Sequence, residues 1–179
     1  MRFSDRRNAG RQLGDRLARA SRKPMVDPVV LALSRGGLAV AAEVARCLDA
    51  ELAGEVPPGH WATQPPRPVI RGKGRTVVLV DDGLATGDAA LSAVRDGWSA
   101  GAARVVVATP VCAPRAAASV RPVVDDLVCL SLPWYFRSVA DWYTDYHRLS
   151  DHELAEALTS VRGTPRPSPA LRTGPARRA

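Results

Sequence analysis

The sequence predicts an α/β fold with a doubly wound, mainly parallel sheet flanked by helices. Short runs of branched aliphatic residues alternate along the chain with segments whose apolar residues recur at helical spacing. The central run, Val77-Val78-Leu79-Val80, is apolar at every position, which is typical of a strand covered on both faces. The chain has 179 residues, of which 46% are hydrophobic, and this is enough to bury one core of ordinary size. Right-handed crossovers between parallel strands are therefore expected.

The N-terminal part is predicted to contain two helices and one strand. Residues 3–22 form the first, amphipathic helix, with Leu13 and Leu17 on its apolar face. Two prolines end this helix, and the aliphatic run at 29–33 predicts a buried strand. A turn with two glycines then leads into a second helix, whose apolar face begins at Val40.

The segment 50–75 interrupts this alternation because it is dense in proline. Proline lacks a backbone donor, so at most one short strand is expected here, around Val69 and Ile70. His60 and Trp61 also lie in this segment. A lone histidine beside a tryptophan in a proline-rich loop is more often incidental than catalytic, so neither residue is assigned a role.

The C-terminal half returns to alternating strands and helices. Strands are predicted at 77–80, 104–110 and 127–132, with one helix starting after Gly87 and another at 114–120.

A last helix closes the predicted fold, which should end near Val161. Ser150 followed by Glu153 makes a capping box for this helix, and Leu154 and Leu158 continue it as one apolar face.

Aromatic residues are concentrated just before this last helix. Three of them, Trp134, Phe136 and Trp142, are candidates for stacking on a nucleobase. Packing at the end of the sheet, or a contact within a homodimer, is the favoured interpretation of the whole group. The group comprises Trp134, Tyr135, Phe136, Trp142, Tyr143 and Tyr146.

The net charge of +7 raises the question of nucleic-acid binding. Five of the surplus charges are arginines of residues 162–179, a segment rich in proline and glycine that contains no acid. We therefore expect residues 1–161 to form the folded domain and residues 162–179 to be a disordered tail. Because the folded part is nearly balanced in charge, nucleic-acid binding is not favoured.

The three cysteines, Cys47, Cys112 and Cys129, lie in apolar runs and lack CxxC spacing. That pattern predicts reduced, buried thiols rather than disulfides or a zinc site. The N-terminus shows no apolar signal segment, and no run approaches the length of a membrane span. A cytoplasmic protein without membrane association is expected.

The stretch from Thr76 to Ala89, TVVLVDDGLATGDA, carries the most specific chemistry. A buried strand ends at Asp81 and Asp82, and a glycine-containing loop then leads into a helix. Backbone N–H groups at a helix N-terminus attract phosphate, whereas carboxylates accept hydrogen bonds from sugar hydroxyls. The pattern therefore predicts a ligand with adjacent ribose and phosphate groups. The alternatives are acids that cap the next helix of a Rossmann-like unit, or the acidic cluster of a response-regulator receiver.

A second anion site is predicted after the first strand, at Ser34-Arg35-Gly36-Gly37. The Arg35 guanidinium could bind a pyrophosphate through two parallel hydrogen bonds, and the two glycines would let backbone N–H groups approach closely. Taken alone, this motif is more typical of a plain strand-to-helix turn. Together with the downstream loop it favours pyrophosphate.

The segment VVLVDDGLATGDA resembles the phosphoribosyl pyrophosphate (PRPP) motif of type I phosphoribosyltransferases. The resemblance implies that Asp81 and Asp82 are the catalytic acids that hold the ribose hydroxyls. It also implies that the loop with Thr86 wraps the 5′-phosphate and that Arg35 and its glycines bind pyrophosphate. The whole set implied to bind PRPP is Arg35, Gly36, Gly37, Asp81, Asp82, Gly83, Leu84, Ala85, Thr86 and Gly87.

The chain departs from the family pattern at three places. Asp88 and Ala89 stand where family members usually have a small neutral residue and then Thr or Ser, and Ser34 replaces a usual proline. The segment 50–75 is shorter than its counterpart in the family, which carries a further strand and a mobile loop that closes over PRPP. The chain therefore resembles a small branch member with a shortened catalytic-loop or hood segment.

The resemblance implies a transferase that binds Mg²⁺-PRPP and transfers the phosphoribosyl group to a nitrogenous base with release of pyrophosphate. Mg²⁺ would be bound through PRPP, without a direct protein ligand. The alternative is a catalytically weakened protein of the same fold that binds PRPP or a nucleotide as a regulator. In either case the expected partners are small molecules of nucleotide metabolism, and a homodimer is compatible with the sequence.

Overall fold

The computed structural model of the chain describes residues 2–20, 24–53 and 70–161. Within these residues the strands are β1 (Val29–Ala32), β2 (Glu51–Ala53), β3 (Thr76–Val80), β4 (Arg104–Val111) and β5 (Asp126–Ser131). The α-helices are α1 (Arg6–Ala20), α2 (Arg35–Cys47), α3 (Asp88–Ser99), α4 (Pro114–Val120) and α5 (Asp151–Val161).

The described strands form one sheet in the order β2-β1-β3-β4-β5, and every neighbouring pair is parallel. β1 and β3 lie side by side, with Val29 opposite Val77 and Ala32 opposite Val80. The strand order reverses between β1 and β3, and such a reversal leaves a crevice at the carboxyl ends of the two strands. The predicted doubly wound parallel sheet is confirmed.

Helices cover both faces of this sheet. On one face, Val30 and Val78 cluster with Leu13 of α1 and with residues of α2. On the other face, Val77 clusters with Val94 of α3 and with residues of α4. Consecutive strand residues point to opposite faces, so both faces need apolar side chains. This explains why the strand sequences are aliphatic at every position.

β2 differs from the prediction. The sequence predicts at most one strand in 50–75, around Val69 and Ile70, but the strand lies at Glu51–Ala53. Ile70 is outside any strand, so the prediction is wrong at that residue, and Val69 lies outside the described residues. β2 has only three residues, none of them fully buried, and it forms by parallel pairing with the edge of β1. Pairing of this kind leaves no periodic pattern in the sequence.

The predicted capping box at the start of α5 is confirmed. The Ser150 N–H donates to a Glu153 carboxylate oxygen at 2.7 Å, and the Glu153 N–H donates to the Ser150 hydroxyl oxygen at 3.2 Å. Each side chain therefore satisfies a backbone donor of the other residue, as the motif requires. The apolar face of α5 is also confirmed at Leu154, which is buried.

The cysteines agree with the prediction only in part. Cys112 is buried and Cys129 is half-buried, but Cys47 is exposed, so the prediction of a buried thiol is wrong there. Cys47 is the last helical residue of α2, beside Gly14 of α1, at a solvent-facing end of the contact between the two helices. An apolar sequence neighbourhood does not show on which side of a helix end a residue lies.

Some sequence predictions concern segments that the structure does not describe. The proline-rich part 54–69, with His60 and Trp61, and the arginine-rich part 162–179 lie outside the described residues. Among the helices of the described residues, none has both the length and the apolar character that crossing a membrane requires.

α1 and α2 pack closely because glycine provides the space. A Cβ atom on Gly10 would lie 2.7 Å from the Cβ of Glu43 and 2.8 Å from the carbonyl oxygen of Val40. The Val40 oxygen belongs to the backbone of α2 and cannot rotate away. The distance between the two helices therefore depends on the absence of a side chain at Gly10.

We predict that Gly10→Ala destabilises the protein by about 1–3 kcal/mol, because the added methyl group overpacks the contact between α1 and α2. Gly97→Ala in α3 is the matched control, since its Cβ would meet Val105 at an ordinary 3.4 Å. That substitution should be neutral or stabilise by about 0.5–1 kcal/mol through helix propensity. Urea denaturation measures both free energies of unfolding, and equal effects of the two substitutions would contradict this account of the packing.

Candidate functional site

The two predicted loops meet at one edge of the sheet. We define the β1 loop as residues 34–37, although residues 35–37 already form the first turn of α2, and the β3 loop as residues 81–87. Because β1 and β3 are parallel neighbours, both loops leave the carboxyl edge of the sheet, at the point where the strand order reverses. The Leu33 N–H donates to the Val80 carbonyl at 2.8 Å and joins the two strand ends. Open α/β sheets bind ligands at such a point.

Asp81 is held by the β1 loop. Its side chain is buried, and its Oδ1 accepts hydrogen bonds from the Ser34 hydroxyl and from the Asp82 N–H, the latter at 2.9 Å. Ser34 is also the N-cap of α2, since its hydroxyl oxygen accepts from the Gly37 N–H at 2.9 Å. One serine hydroxyl therefore links the first acid to the N-terminus of α2.

Asp82 is held by residues from both ends of the chain. The Nε of Arg6, in the first turn of α1, donates to Asp82 Oδ2 at 2.8 Å, and the two side chains are only 8% and 9% exposed. From the C-terminal part, the Tyr143 hydroxyl donates to the Asp82 backbone carbonyl at 2.6 Å. The Asp82 side chain is therefore held by an ion pair, and its backbone carbonyl is held by a hydrogen bond.

The glycines of the β1 loop let the acid pair approach α2. A Cβ on Gly36 would lie 2.0 Å from Asp82 Oδ2, and a Cβ on Gly37 would lie 2.9 Å from Asp81 Oδ1. The second position is also 3.0 Å from the Val80 carbonyl oxygen, which is backbone and cannot move aside. A side chain at either glycine would displace a carboxylate, so these glycines are needed for contact between the two loops themselves.

The β3 loop ends at a helix N-terminus that has no side-chain cap. Gly87, the N-cap of α3, has φ of 86°, a conformation that favours glycine. Thr86 is exposed, and its hydroxyl oxygen accepts from the Asp88 N–H at a long 3.4 Å. The Asp88 and Ala89 residues that depart from the family pattern are both exposed. Among the described residues the Asp88 N–H has only this long bond, so the N–H groups in the first turn of α3 can receive an anion.

The acid pair does not cap α3, as the Rossmann-like alternative would require. Asp81 accepts from Ser34, and Asp82 is paired with Arg6, whereas the N-cap of α3 is Gly87.

Within residues 2–20, 24–53 and 70–161, no group of three or more His, Cys, Asp or Glu side chains could hold a metal ion.

The two buried acids have different partners and therefore different environments. Burial and, next in size, the charge of Asp82 raise the pKa of Asp81 to about 7, whereas the hydrogen bond from Ser34 opposes this increase. Burial and the charge of Asp82 also raise the pKa of Tyr143, so its hydroxyl stays a neutral donor. Since Asp82 has an arginine partner and Asp81 has none in the described part of the chain, the pair is asymmetric.

Arg35 lies in the β1 loop as predicted, but its guanidinium contacts the start of α5. Its Nε and Nη2 donate to the Leu149 carbonyl at 3.1 and 2.8 Å, and Nη2 also donates to Asp151 Oδ1 at 2.6 Å. The residue implied to bind pyrophosphate therefore has a competing anionic partner within the protein. The Asp151 side chain is 63% exposed, so this pair lies near the surface.

The three base-stacking candidates lie in different surroundings. Trp134 is 93% exposed and makes a tilted ring contact with Tyr135. Phe136 packs against the core cluster of α3 and α4, and Trp142 packs against the cluster that contains Tyr143. Packing therefore accounts for two of the candidates and leaves Trp134 as the exposed candidate.

The sequence analysis misses Arg6 and Tyr143 as site residues. Arg6 lies 76 positions before its partner Asp82, so no local spacing connects the two. Nothing in the amphipathic pattern of residues 3–22 distinguishes Arg6 from the other arginines of that helix. Tyr143 is part of the aromatic group and is recognised there only as a packing residue.

Sequence comparison relates the chain to proteins with a stated family. No protein-family model matches it. The chain is 31% identical over 209 aligned residues to proteins from two strains of Mycobacterium tuberculosis, each named "Putative phosphoribosyl transferase". The match covers 87% of this chain and 46% of those proteins, so the chain spans about half the length of the curated relatives it matches. Because the alignment is longer than the chain itself, the relatives contain insertions within the matched part.

Structural comparison extends the likeness to solved proteins. The crystal structure of TT1426 from Thermus thermophilus superposes with a TM-score of 0.73 at 32% sequence identity and covers 88% of this chain and 98% of that one. The AQ2163 protein from Aquifex aeolicus superposes with a TM-score of 0.51 at 15% identity and covers 69% of this chain and 73% of that one. The second likeness concerns the fold alone.

We predict that Asp81→Asn changes the pH dependence of stability. The folded pKa of Asp81 is raised to about 7, above an unfolded value of about 4. Between these values the folded state binds more protons than the unfolded state, so this group makes the parent less stable as pH rises. The stability of Asp81→Asn relative to the parent should therefore increase from about pH 4 to about pH 7 and then level off.

Urea denaturation at several pH values across this range measures the effect. Asp88→Asn is the matched control for an exposed acid next to the same loop. Parallel pH profiles for the parent and Asp81→Asn would contradict the proposed environment of the first acid.

Proposed function

We propose that the chain is a member of the type I phosphoribosyltransferase family that binds Mg²⁺-PRPP and transfers the phosphoribosyl group to a nitrogenous base with release of pyrophosphate. The observation that carries this proposal is the meeting of the β1 loop and the β3 loop where the strand order reverses. An acid pair and an uncapped helix N-terminus lie in succession along the β3 loop. Ribose hydroxyls and a 5′-phosphate need these two kinds of partner side by side.

The two ends of the β3 loop suit the two ends of a ribose 5-phosphate. The carboxylates of Asp81 and Asp82 would accept hydrogen bonds from the ribose hydroxyls. Both are held in one orientation by protein donors, which supports binding without a large loss of side-chain freedom. The 5′-phosphate would receive the Thr86 hydroxyl and the first N–H groups of α3, favoured by the helix dipole.

Pyrophosphate would lie on the β1 loop, at Arg35, Gly36 and Gly37. Arg35 has five N–H donors, so it could keep its bonds to the Leu149 carbonyl and exchange Asp151 for a phosphate oxygen. Binding there would then compete with the contact between Arg35 and α5. This competition makes the occupancy of the site sensitive to Asp151.

Mg²⁺ fits this arrangement as part of the substrate. It is commonly bound by substrate phosphates while it keeps several waters, and it does not need a cage of protein ligands. In this proposal the ion enters the site on PRPP and lies next to the acid pair at the ribose. When bound, Mg²⁺ would neutralise charge on the departing pyrophosphate.

The reaction would form a bond from a base nitrogen to the anomeric carbon while the bond from that carbon to pyrophosphate breaks. Positive charge develops on the ribose ring in the transition state, and the carboxylates of Asp81 and Asp82 would stabilise it. The negative charge that moves to pyrophosphate would be taken up by Arg35 and by the backbone donors of the β1 loop. The protein therefore supplies opposite charges on the two sides of the breaking bond.

A second candidate function is a regulator that binds PRPP or a nucleotide without turnover. The observation that favours it is that two charged groups of the site have ionic partners within the protein, Arg35 with Asp151 and Asp82 with Arg6. Asp151 would compete with pyrophosphate for Arg35. The positive charge of Arg6 would reduce the stabilisation that Asp82 gives to positive charge on the ribose ring. The two candidates share PRPP binding and differ in the release of pyrophosphate.

We predict that PRPP binding requires the acid pair. Replacement of Asp81 and Asp82 by Asn keeps the shape but removes the negative charge, so PRPP affinity should fall by about tenfold or more. The matched control replaces Asp125 and Asp126 by Asn. These acids lie at the start of β5, so they are at the amino ends of the strands, away from the site. This control should leave affinity unchanged.

Titration calorimetry with PRPP, with and without Mg²⁺, measures both variants and the parent. Equal affinity of the parent and the Asp81 and Asp82 variant would remove ribose recognition by these acids. A pyrophosphate-release assay across a panel of nitrogenous bases then separates the transferase from the regulator, because only the transferase releases pyrophosphate when a base is added.

We also predict that Asp151→Asn tightens the binding of PRPP. The substitution removes the anion that competes for Arg35, and exposed ion pairs of this kind are worth enough to change affinity by about two- to fivefold. Glu156→Gln on the same helix is the control, since Glu156 pairs with Arg7 instead. Titration calorimetry should show a gain for Asp151→Asn alone, and a loss in that variant would argue against pyrophosphate on Arg35.

A further inference from the structure

Arg6 is a buried cation beside the acid pair. It is 8% exposed, lies in the first turn of α1, and donates from Nε to Asp82 Oδ2 at 2.8 Å. Arginine is rarely buried this deeply unless it is paired and fully hydrogen-bonded. The guanidinium is therefore part of the candidate site rather than a surface charge near it.

The remaining faces of this guanidinium are also occupied. Its Nη1 donates to the His147 carbonyl at 2.9 Å, and its Cζ lies 3.9 Å from the centre of the Tyr146 ring. The Tyr146 ring contacts the ring of Tyr143 with centroids 5.2 Å apart, and the Tyr143 hydroxyl donates to the Asp82 carbonyl. A carboxylate, a carbonyl and an aromatic ring therefore hold Arg6 on three sides.

The backbone on either side of Arg6 is fixed as well. Phe3 is fully buried, its N–H donates to the Trp142 carbonyl at 2.8 Å, and its carbonyl accepts from the Thr144 N–H at 2.8 Å. One turn after Arg6, Gly10 lies against the backbone of α2. The side chain of Arg6 thus starts from a well-defined position.

Asp82 needs a partner of this kind to keep one orientation. It is adjacent to another buried carboxylate, Asp81, and two like charges at such a distance repel each other. Gly36, the neighbour of Oδ2 in the β1 loop, has no side chain that could hold the group. Among the described residues, Arg6 makes the ion pair of this acid pair.

We propose that Arg6 is a positioning residue for Asp82, holding its carboxylate in the orientation in which it accepts a ribose hydroxyl of PRPP. This inference rests on the proposed function. Arg6 acts through Asp82 and does not touch the ligand. Ribose recognition at the end of β3 then depends on a side chain of α1, 76 positions away in the sequence.

The competing explanation is that Arg6 only anchors the N-terminal helix to the C-terminal part. Both explanations predict a loss of stability when Arg6 is replaced. Only a positioning role predicts that the loss of affinity disappears when Asp82 can no longer act, and that a second cation at the same place restores part of it.

The experiment uses the full chain with Arg6→Met and Arg6→Lys. Arg6→Met keeps the length of the side chain without the charge, and PRPP affinity should fall by about tenfold or more. Arg6→Lys returns a cation to Asp82 and should recover a clear part of that loss. Arg7→Met is the matched control on the same helix, because Arg7 is half exposed and pairs at 3.5 Å with Glu156; its affinity for PRPP should stay within about twofold of the parent.

A double-mutant cycle with Asp82→Asn tests whether Arg6 acts through Asp82. Adding Arg6→Met to Asp82→Asn should lower affinity further by less than about twofold, far less than Arg6→Met does alone. Arg6→Met should also unfold at lower denaturant concentration than the double variant, because it leaves a buried carboxylate without its cation. This comparison keeps the test valid if Arg6→Met is too unstable for titration, since Arg6→Lys and the double variant remain.

The pH profile of PRPP binding is a second readout, and it reports whether the charge of Arg6 acts on the acid pair. The titratable groups that face Asp82 are Arg6 from α1, Asp81 in the β3 loop, and Tyr143 and Tyr146 from the C-terminal part. Both tyrosines stay neutral near neutral pH, since their pKa values are raised. Loss of the cation makes the acid pair harder to ionise, so the midpoint in Arg6→Met should move to higher pH.

The outcomes are separable. If the parent binds PRPP and Arg6→Met binds equally well, the positioning role is overturned while the proposed function stands. Additive effects of Arg6→Met and Asp82→Asn, or a Lys variant no better than the Met variant, would also overturn it. If the parent itself does not bind PRPP, both the proposed function and this inference fail.

Discussion

The presence of two adjacent buried carboxylates at the end of β3 is the constraint that the rest of the site must satisfy. Burial disfavours the charged form of each acid, and the like charge of the neighbour adds to this. The Ser34 hydroxyl donates a hydrogen bond to the first acid, and the Arg6 guanidinium forms an ion pair with the second. The two acids therefore have different partners, and burial together with the charge of Asp82 raises the pKa of Asp81.

This requirement shapes parts of the chain that are far apart in sequence. Arg6 must arrive from the first helix, and the helix must approach α2 closely enough, which a glycine at position 10 allows. Tyr143 and the carbonyl of His147 complete the surroundings from the C-terminal part. The N-terminal helix and the C-terminal part therefore meet over the end of β3. Polar contacts to Asp82 and Arg6 hold them there in addition to apolar packing.

The β1 loop and the β3 loop differ in how ready they are for a ligand. The β3 loop ends at the uncapped N-terminus of α3, where backbone donors are available. In the β1 loop, by contrast, Arg35 already donates to Leu149 and Asp151. A ligand that binds both loops would meet free backbone donors at the β3 loop but would have to displace Asp151 from Arg35 at the β1 loop. This asymmetry connects the site to the start of α5.

The sequence by itself determined the parallel α/β fold, the four longer strands, and the two loops at 34–37 and 81–87, because aliphatic runs and glycine turns are local signals. The position of the short β2 strand followed from pairing with β1, for which no local signal exists. In the same way, the ion pair of Asp82 and the contact of Arg35 with α5 were decided only by the tertiary structure. Both depend on which distant segments meet. The paired residues are 76 or more positions apart, so no local spacing in the sequence predicts the contact.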